Sequence, residues 1–134
     1  MSDNELLDIA KEMRGFSYCK YSSYAVGAAL LTKDGKVYTG CNVENGSYSL
    51  TNCAERTAFF NAISKGEREF SAIAIVGGDI SSASLDDCTP CGACIQVISE
   101  FCEDDFRVIT INHFGEEVVY TLAMLAPTRF RLKV

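Results

Sequence analysis

An α/β layered domain is predicted by three observations. Asp34-Gly35 marks a tight hairpin between two apolar runs, the rest of the chain alternates between helical and strand-like apolar patterns, and the hydrophobic content suffices for one core. Of the 134 residues, 48% are hydrophobic and 22% are charged, and a chain of this length buries about two thirds of its unfolded surface. Composition shows no linker, internal repeat or low-complexity stretch, so residues 1–134 are expected to form one domain.

Ser2 is a natural N-cap, and Leu6, Leu7, Ile9, Ala10 and Met13 follow it at helical spacing, which predicts an amphipathic helix over residues 2–18. Val26 to Thr32 and Lys36 to Cys41 flank Asp34-Gly35, a dipeptide that supplies the positive φ angles of a hairpin turn. A second helix is predicted from Cys53 to Ser64, ending before Gly66, with Asn52 as its cap. Phe70 to Val76 is an apolar, β-branched run that Gly77-Gly78 should close. Thr89 as N-cap and Pro90 as first residue predict a third helix, in which Cys91 to Phe101 follow. Strands at Arg107 to His113 and Glu117 to Leu122 come after it, with Gly115 turning between them.

Charge and cysteine usage narrow the function. A net charge of −6, with no long run of Lys or Arg, argues against nucleic-acid partners. Seven cysteines, an odd number, do not suit a secreted disulfide framework. Asp3, Glu5 and Asp8 stand where an export signal would carry basic and then apolar residues, and no run is long enough to cross a membrane. A cytoplasmic protein with reduced thiols and no membrane association is expected.

Three of those thiols stand in a chemically suggestive pattern. Cys53-Ala54-Glu55 opens one predicted helix, and Pro90-Cys91-Gly92-Ala93-Cys94 opens another. Residues three apart on a helix are neighbours, and the positive helix end favours thiolate, so Cys91 and Cys94 can share a metal with Cys53. Three protein ligands leave a tetrahedral zinc one position for water, and Glu55 beside it could hold a proton. Each part also admits another use. Asn52-x-x-Glu55 could be a capping box, Cys91-x-x-Cys94 a redox dithiol, and Cys88 could close a four-thiolate structural zinc domain serving as an interaction module. An iron–sulfur run is disfavoured because position 98 is Ile98 rather than cysteine. Cys19, Cys41 and Cys102 suit buried packing, and His113 a structural role.

Taken together, the chain resembles the small, homotetrameric, three-cysteine cytidine deaminases. The zinc deaminase signature of His or Cys, x, Glu, then Pro-Cys-x-x-Cys is filled by Cys53-Ala54-Glu55 and Pro90 to Cys94. The likeness extends through Tyr21-Ser22, Val26 to Leu30, Gly40 to Asn45, Cys53 to Ala58 and Gln96-Val97. It implies a three-layer α/β/α fold on a mixed five-stranded sheet, one zinc per subunit, and hydrolysis of cytidine and 2'-deoxycytidine in pyrimidine salvage. A relative of the same architecture acts on blasticidin S, but the ribose-binding pair below favours a nucleoside. The resemblance makes Glu55 the catalytic proton carrier. Three thiolates over-compensate a zinc ion's charge, so a nearby cation is needed to draw density off the sulfurs, and Arg56 is the candidate. The resemblance places Asn42 and Glu44 on the ribose hydroxyls, and Tyr24, Val43, Ala54 and Phe130 at the substrate. Phe130, in Pro127-x-x-Phe130, would reach a neighbouring subunit's site, with Tyr48 near the same junction. Two positions depart from the family pattern: Ile95 stands where an arginine usually follows the second cysteine, and Tyr24 where phenylalanine is usual.

Overall fold

The computed structural model describes every residue from Met1 to Val134. Ser2 caps α1 (Asp3–Met13) through a reciprocal capping box with Glu5. The helix is shorter than the predicted 2–18, and the chain tightens into a 3₁₀ turn over Arg14–Phe16. Arg14 is the reason on the tertiary side: its guanidinium donates to the carbonyls of Ala25 and Gly78, which draws the helix end onto the sheet.

β1 (Tyr24–Thr32) and β2 (Val37–Cys41) form the hairpin, with Gly35 at φ +90° in the turn. After a 3₁₀ turn comes α2 (Ala54–Ser64), and then β3 (Phe70–Asp79), which pairs antiparallel with β1. Gly77 and Gly78 do not end this strand as expected; they stay paired with Val26 and Ala25. α3 (Gly92–Phe101) leads to β4 (Arg107–Ile111), parallel to β3, and β5 (Glu117–Thr121) returns antiparallel. The sheet order β2-β1-β3-β4-β5 is the mixed five-stranded arrangement expected. His113 falls in the turn after β4, not on the strand, and a four-residue helix, α4 (Leu122–Leu125), takes up Leu122, the expected end of the last strand.

Strand alternation separates two cores and so makes three layers. On one face Ala29, Ala72, Ala74, Val76, Ile109 and Ile111 meet Leu6, Leu7 and Ala10 of α1. On the other Ala28, Leu30, Ile73, Ile75 and Val108 meet Ala54, Ala58 and Phe59 of α2 and Ile98 of α3. Small residues set the depth of α2. Gly40 of β2 lies so close that a methyl group there would stand 2.5 Å from the Ala54 carbonyl oxygen and from the Ala58 amide nitrogen. One turn beyond Glu55, Phe59 is fully buried, with its ring 5.1 Å from that of Phe70 and 6.1 Å from that of Phe106. Edge and tilted pairs of this kind add about 0.5–1.5 kcal/mol beyond area burial. The start of α2 is therefore fixed rigidly against the sheet.

Candidate active site

Both helices near the sulfur cluster begin on a cysteine. Cys53 is the N-cap of α2 and Cys91 the N-cap of α3, so each helix starts later than the caps Asn52 and Thr89 would have set. The first intrahelical bonds run from Thr57 to the Cys53 carbonyl and from Ile95 to the Cys91 carbonyl. The three amides before them in each helix have no intrahelical partner and point at the cysteine end. Cys94 is then the third residue of α3, and the positive ends of two helices meet at three sulfurs.

Those sulfurs, of Cys53, Cys91 and Cys94, all lie within 4.8 Å of one another, and the Cys53 and Cys91 Sγ atoms are 3.9 Å apart. Two ligands of a tetrahedral zinc at about 2.3 Å stand about 3.8 Å apart, so the donor set fits that ion in kind and in spacing. Cys94 is fully buried, Cys53 half-buried and Cys91 exposed, which leaves one side of the cluster open to a small fourth ligand. Cys88 lies outside the cluster, its sulfur resting over Gly77, so a four-thiolate structural site finds no fourth ligand there. A simple dithiol likewise leaves Cys53 and Glu55 without a part. All seven cysteines are free.

Charge is arranged to favour thiolate. The Cys53 thiol is drawn down to about 5, first by the Cys94 thiol within hydrogen-bond reach, then by Arg56 and Cys91. Arg56 Nη2 donates to Cys53 Sγ at 3.3 Å, while its buried Nε has no partner. Glu55 is only 5% exposed. Burial pushes its carboxyl up to about 7, against its own backbone amide and the Cys94 thiol, which favour the ionised form. A carboxyl poised near neutrality can both take and give a proton. The capping-box reading of Asn52 and Glu55 does not hold. Asn52 turns its amide to the Thr57 hydroxyl instead, and Glu55 is free to face the sulfurs.

The remaining positions lie around this centre in different ways. Ala54 is fully buried at the start of α2. Asn42 is 8% exposed, accepts from the Val26 amide and donates to the Tyr24 carbonyl, which seats its side chain at the start of β1. Val43 exchanges backbone bonds with Asn52 and so ties the loop after β2 to the residue before Cys53. Glu44 accepts from the amides of Tyr21 and Ser22 and from the Ser22 hydroxyl, whose contact keeps the carboxyl below its ordinary value. Glu44 also lines an open cleft with Tyr21, Ser22, Asn45, Tyr48 and Thr51. Tyr24 is half-buried on β1. Phe130 is apart from these: Gln96 of α3 donates to its carbonyl, and its ring is 67% exposed. Sequence reading missed Ser22 as the partner of Glu44 and Gly40 as the seat of α2. A glycine inside a strand pattern was the available signal for the second.

Residues 1–110 match the model of the cytidine and deoxycytidylate deaminase zinc-binding region. A cytidine deaminase of Sporosarcina psychrophila is 47% identical over 130 residues, covering 97% of this chain and 92% of the relative. One from Halalkalibacterium halodurans is 45% identical over 130 residues, covering 97% of this chain and 95% of the relative. The 1.6 Å crystal structure of a cytidine deaminase from Burkholderia pseudomallei superposes with a TM-score of 0.87 at 45% identity, covering 97% of this chain and all of the other.

Proposed function

The chain belongs to the cytidine and deoxycytidylate deaminase family, and from that premise we propose that it hydrolyses the exocyclic amine of cytidine and 2'-deoxycytidine, releasing ammonia and the uracil nucleoside. The observation that carries the reading is a buried carboxyl, Glu55, beside three sulfurs spaced for zinc and open on one side. Cys53, Cys91 and Cys94 would hold the ion, which supplies the Lewis acidity that lets water lose a proton near neutral pH. Glu55 takes that proton and delivers it to N3 of the base as the C4–O bond forms; it then takes the proton of the new C4 hydroxyl and passes it to the amine, so that C4=O forms as the C4–N bond breaks and ammonia leaves. Arg56 shares the negative charge of the thiolates.

Substrate contacts follow from the same membership. The Asn42 amide keeps one donor and one acceptor site beyond its bonds to β1, and the Glu44 carboxylate is held charged at the mouth of the adjoining cleft. Both suit ribose hydroxyls. Val43 and Ala54 meet the substrate through their backbone, and the Tyr24 ring packs against the base.

The active protein is a homotetramer whose sites are completed across subunits by Phe130, with a role in pyrimidine salvage in the cytoplasm. Support for the assembly is the exposure of large apolar groups on the surface, among them Tyr48 at 76%, Leu50 at 68% and Phe130 at 67%. Seven unpaired cysteines suit a reducing compartment, and no helix is long and apolar enough to cross a membrane.

Ammonia release from cytidine by purified protein, before and after chelation and zinc readdition, tests the reading. Glu55→Gln should keep zinc and lose about 10³-fold or more in turnover. Undiminished turnover in that variant, or zinc-loaded protein that leaves cytidine untouched and hydrolyses blasticidin S, would overturn it.

A further inference from the structure

Position 24 carries a hydroxyl that could turn to substrate, to water or inward, and it turns inward. Across β1 and β3 Tyr24 pairs with Asp79, and Val26 with Gly77, so Tyr24 and Gly77 are diagonal neighbours on one sheet face. Gly77 leaves a recess there, and two groups share it. A methyl group on Gly77 would stand 2.9 Å from Cys88 Sγ, 3.1 Å from Tyr24 Cε1 and 3.2 Å from the Tyr24 hydroxyl oxygen. The segment that brings Cys88 is pinned to the sheet. The Asp86 amide donates to the Gly77 carbonyl at 2.8 Å, and the Thr110 hydroxyl donates to the Cys88 carbonyl at 3.2 Å.

Within the recess the Tyr24 hydroxyl and the Cys88 sulfur face the same Gly77 Cα and lie close enough to act on one another. Burial pushes both the phenol and the thiol up to about 12, so both stay neutral and the contact persists at cellular pH. Cys88 also stands near enough to Glu55 to feel its charge. The pair is therefore anchored on the face of the sheet that carries α2 and α3, outside the sulfur cluster.

We propose that Cys88 is a positioning residue for the deamination: seated with Tyr24 over Gly77, it fixes the aromatic ring and so sets how tightly the base is held. This rests on the reading that the Tyr24 ring meets the base. Its physical content is pre-organisation, because a ring immobilised before substrate arrives loses no rotamer freedom on binding. The Tyr24 hydroxyl acts on Cys88 and the ring on the substrate.

The test uses zinc-loaded Cys88→Ala, Cys88→Val, Tyr24→Phe and the Cys88→Ala, Tyr24→Phe double variant, with kcat and KM for cytidine and the uridine Kd by calorimetry. Cys88→Val keeps the bulk and removes only the polar partner. Each single variant should raise KM and Kd about three- to tenfold with kcat within about twofold, and the double variant should be no worse than the poorer single. Unchanged KM and Kd in both Cys88 variants would overturn the proposal, as would effects of Cys88→Ala and Tyr24→Phe that multiply. Tyr24→Ala separates the two levels. If it too leaves KM and Kd unchanged, the base-facing reading of position 24 fails with the proposal. If it raises them while the Cys88 variants are silent, only the role of Cys88 fails.

Discussion

Replacing Gly40 by alanine should loosen the sulfur cluster from behind. The new methyl would lie 2.5 Å from Ala54 O and Ala58 N and 3.0 Å from Ala58 Cα. All three are backbone atoms of α2, so no side chain can swing away. Restoring ordinary contact of about 3.4 Å requires α2 to retreat by about 1 Å, at a cost of about 1–3 kcal/mol, typical of overpacking a tight interface. With unfolding entropy of about 2.1 cal/mol/K per residue over 134 residues, that is a fall in Tm of about 4–11 °C. The same retreat carries Cys53 and Glu55 away from α3, and a 3.9 Å sulfur separation widened by several tenths of an ångström moves well above the spacing of about 3.8 Å in tetrahedral ligation at about 2.3 Å. Melting of metal-free and zinc-loaded protein, together with a chelator competition titration, reads both effects, and zinc affinity should drop about tenfold or more. Gly15→Ala, with open space around its methyl, is the control. An unchanged Tm and zinc affinity in Gly40→Ala would refute the account of how α2 is seated.

Three further outcomes are expected. Arg56→Ala removes the cation bonded to Cys53, so protons compete better for the thiolates, and zinc release on acidification, followed with a chromophoric chelator, should move up by about one pH unit; release at the same pH would deny Arg56 that role. Ile95→Arg adds a second cation next to Cys94 and should lower the acidic limb of the pH–rate profile by about half to one unit, whereas an unmoved limb would mean Arg56 and the helix ends already suffice. Asp3 is held below its ordinary value of 3.8 by the Arg107 hydrogen bond. Its contribution is therefore present above that value and lost as pH falls through the lower folded one. Because both side chains are partly exposed, Asp3→Asn should cost less than about 1 kcal/mol at pH 7 in denaturant melts, and the difference should shrink as pH is lowered; a gap that does not shrink would point to packing rather than charge.

Elements with a strong local cause were legible in the chain itself. Ser2 capped its helix, and Asp34-Gly35 made its turn. Cys53, Glu55, Cys91 and Cys94 could be read as one site because no single local role accounts for all four. What local rules misplaced was decided by tertiary contacts. Thr89-Pro90 is a better helix start by propensity than Cys91, yet α3 begins where its sulfur can meet Cys53. Gly77-Gly78 reads as a strand end, but both glycines stay in the strand, where Tyr24 and Cys88 occupy the space a side chain at Gly77 would take and Ser84, Arg14 and Leu85 that at Gly78. Arg14 looks like any helical residue until its guanidinium is seen on two carbonyls of the sheet.

The absence of a side-chain cap on either α2 or α3 has a consequence for assembly. Most helix starts are tied down by a hydroxyl or carboxylate from their own sequence, and these two are left to sulfur. A freshly made chain that has not met its ion carries two unfinished helix ends, and the same event that completes them also switches on its chemistry. Maturation and competence are thus one step: the ion that completes the two helix starts is the same one that completes the site.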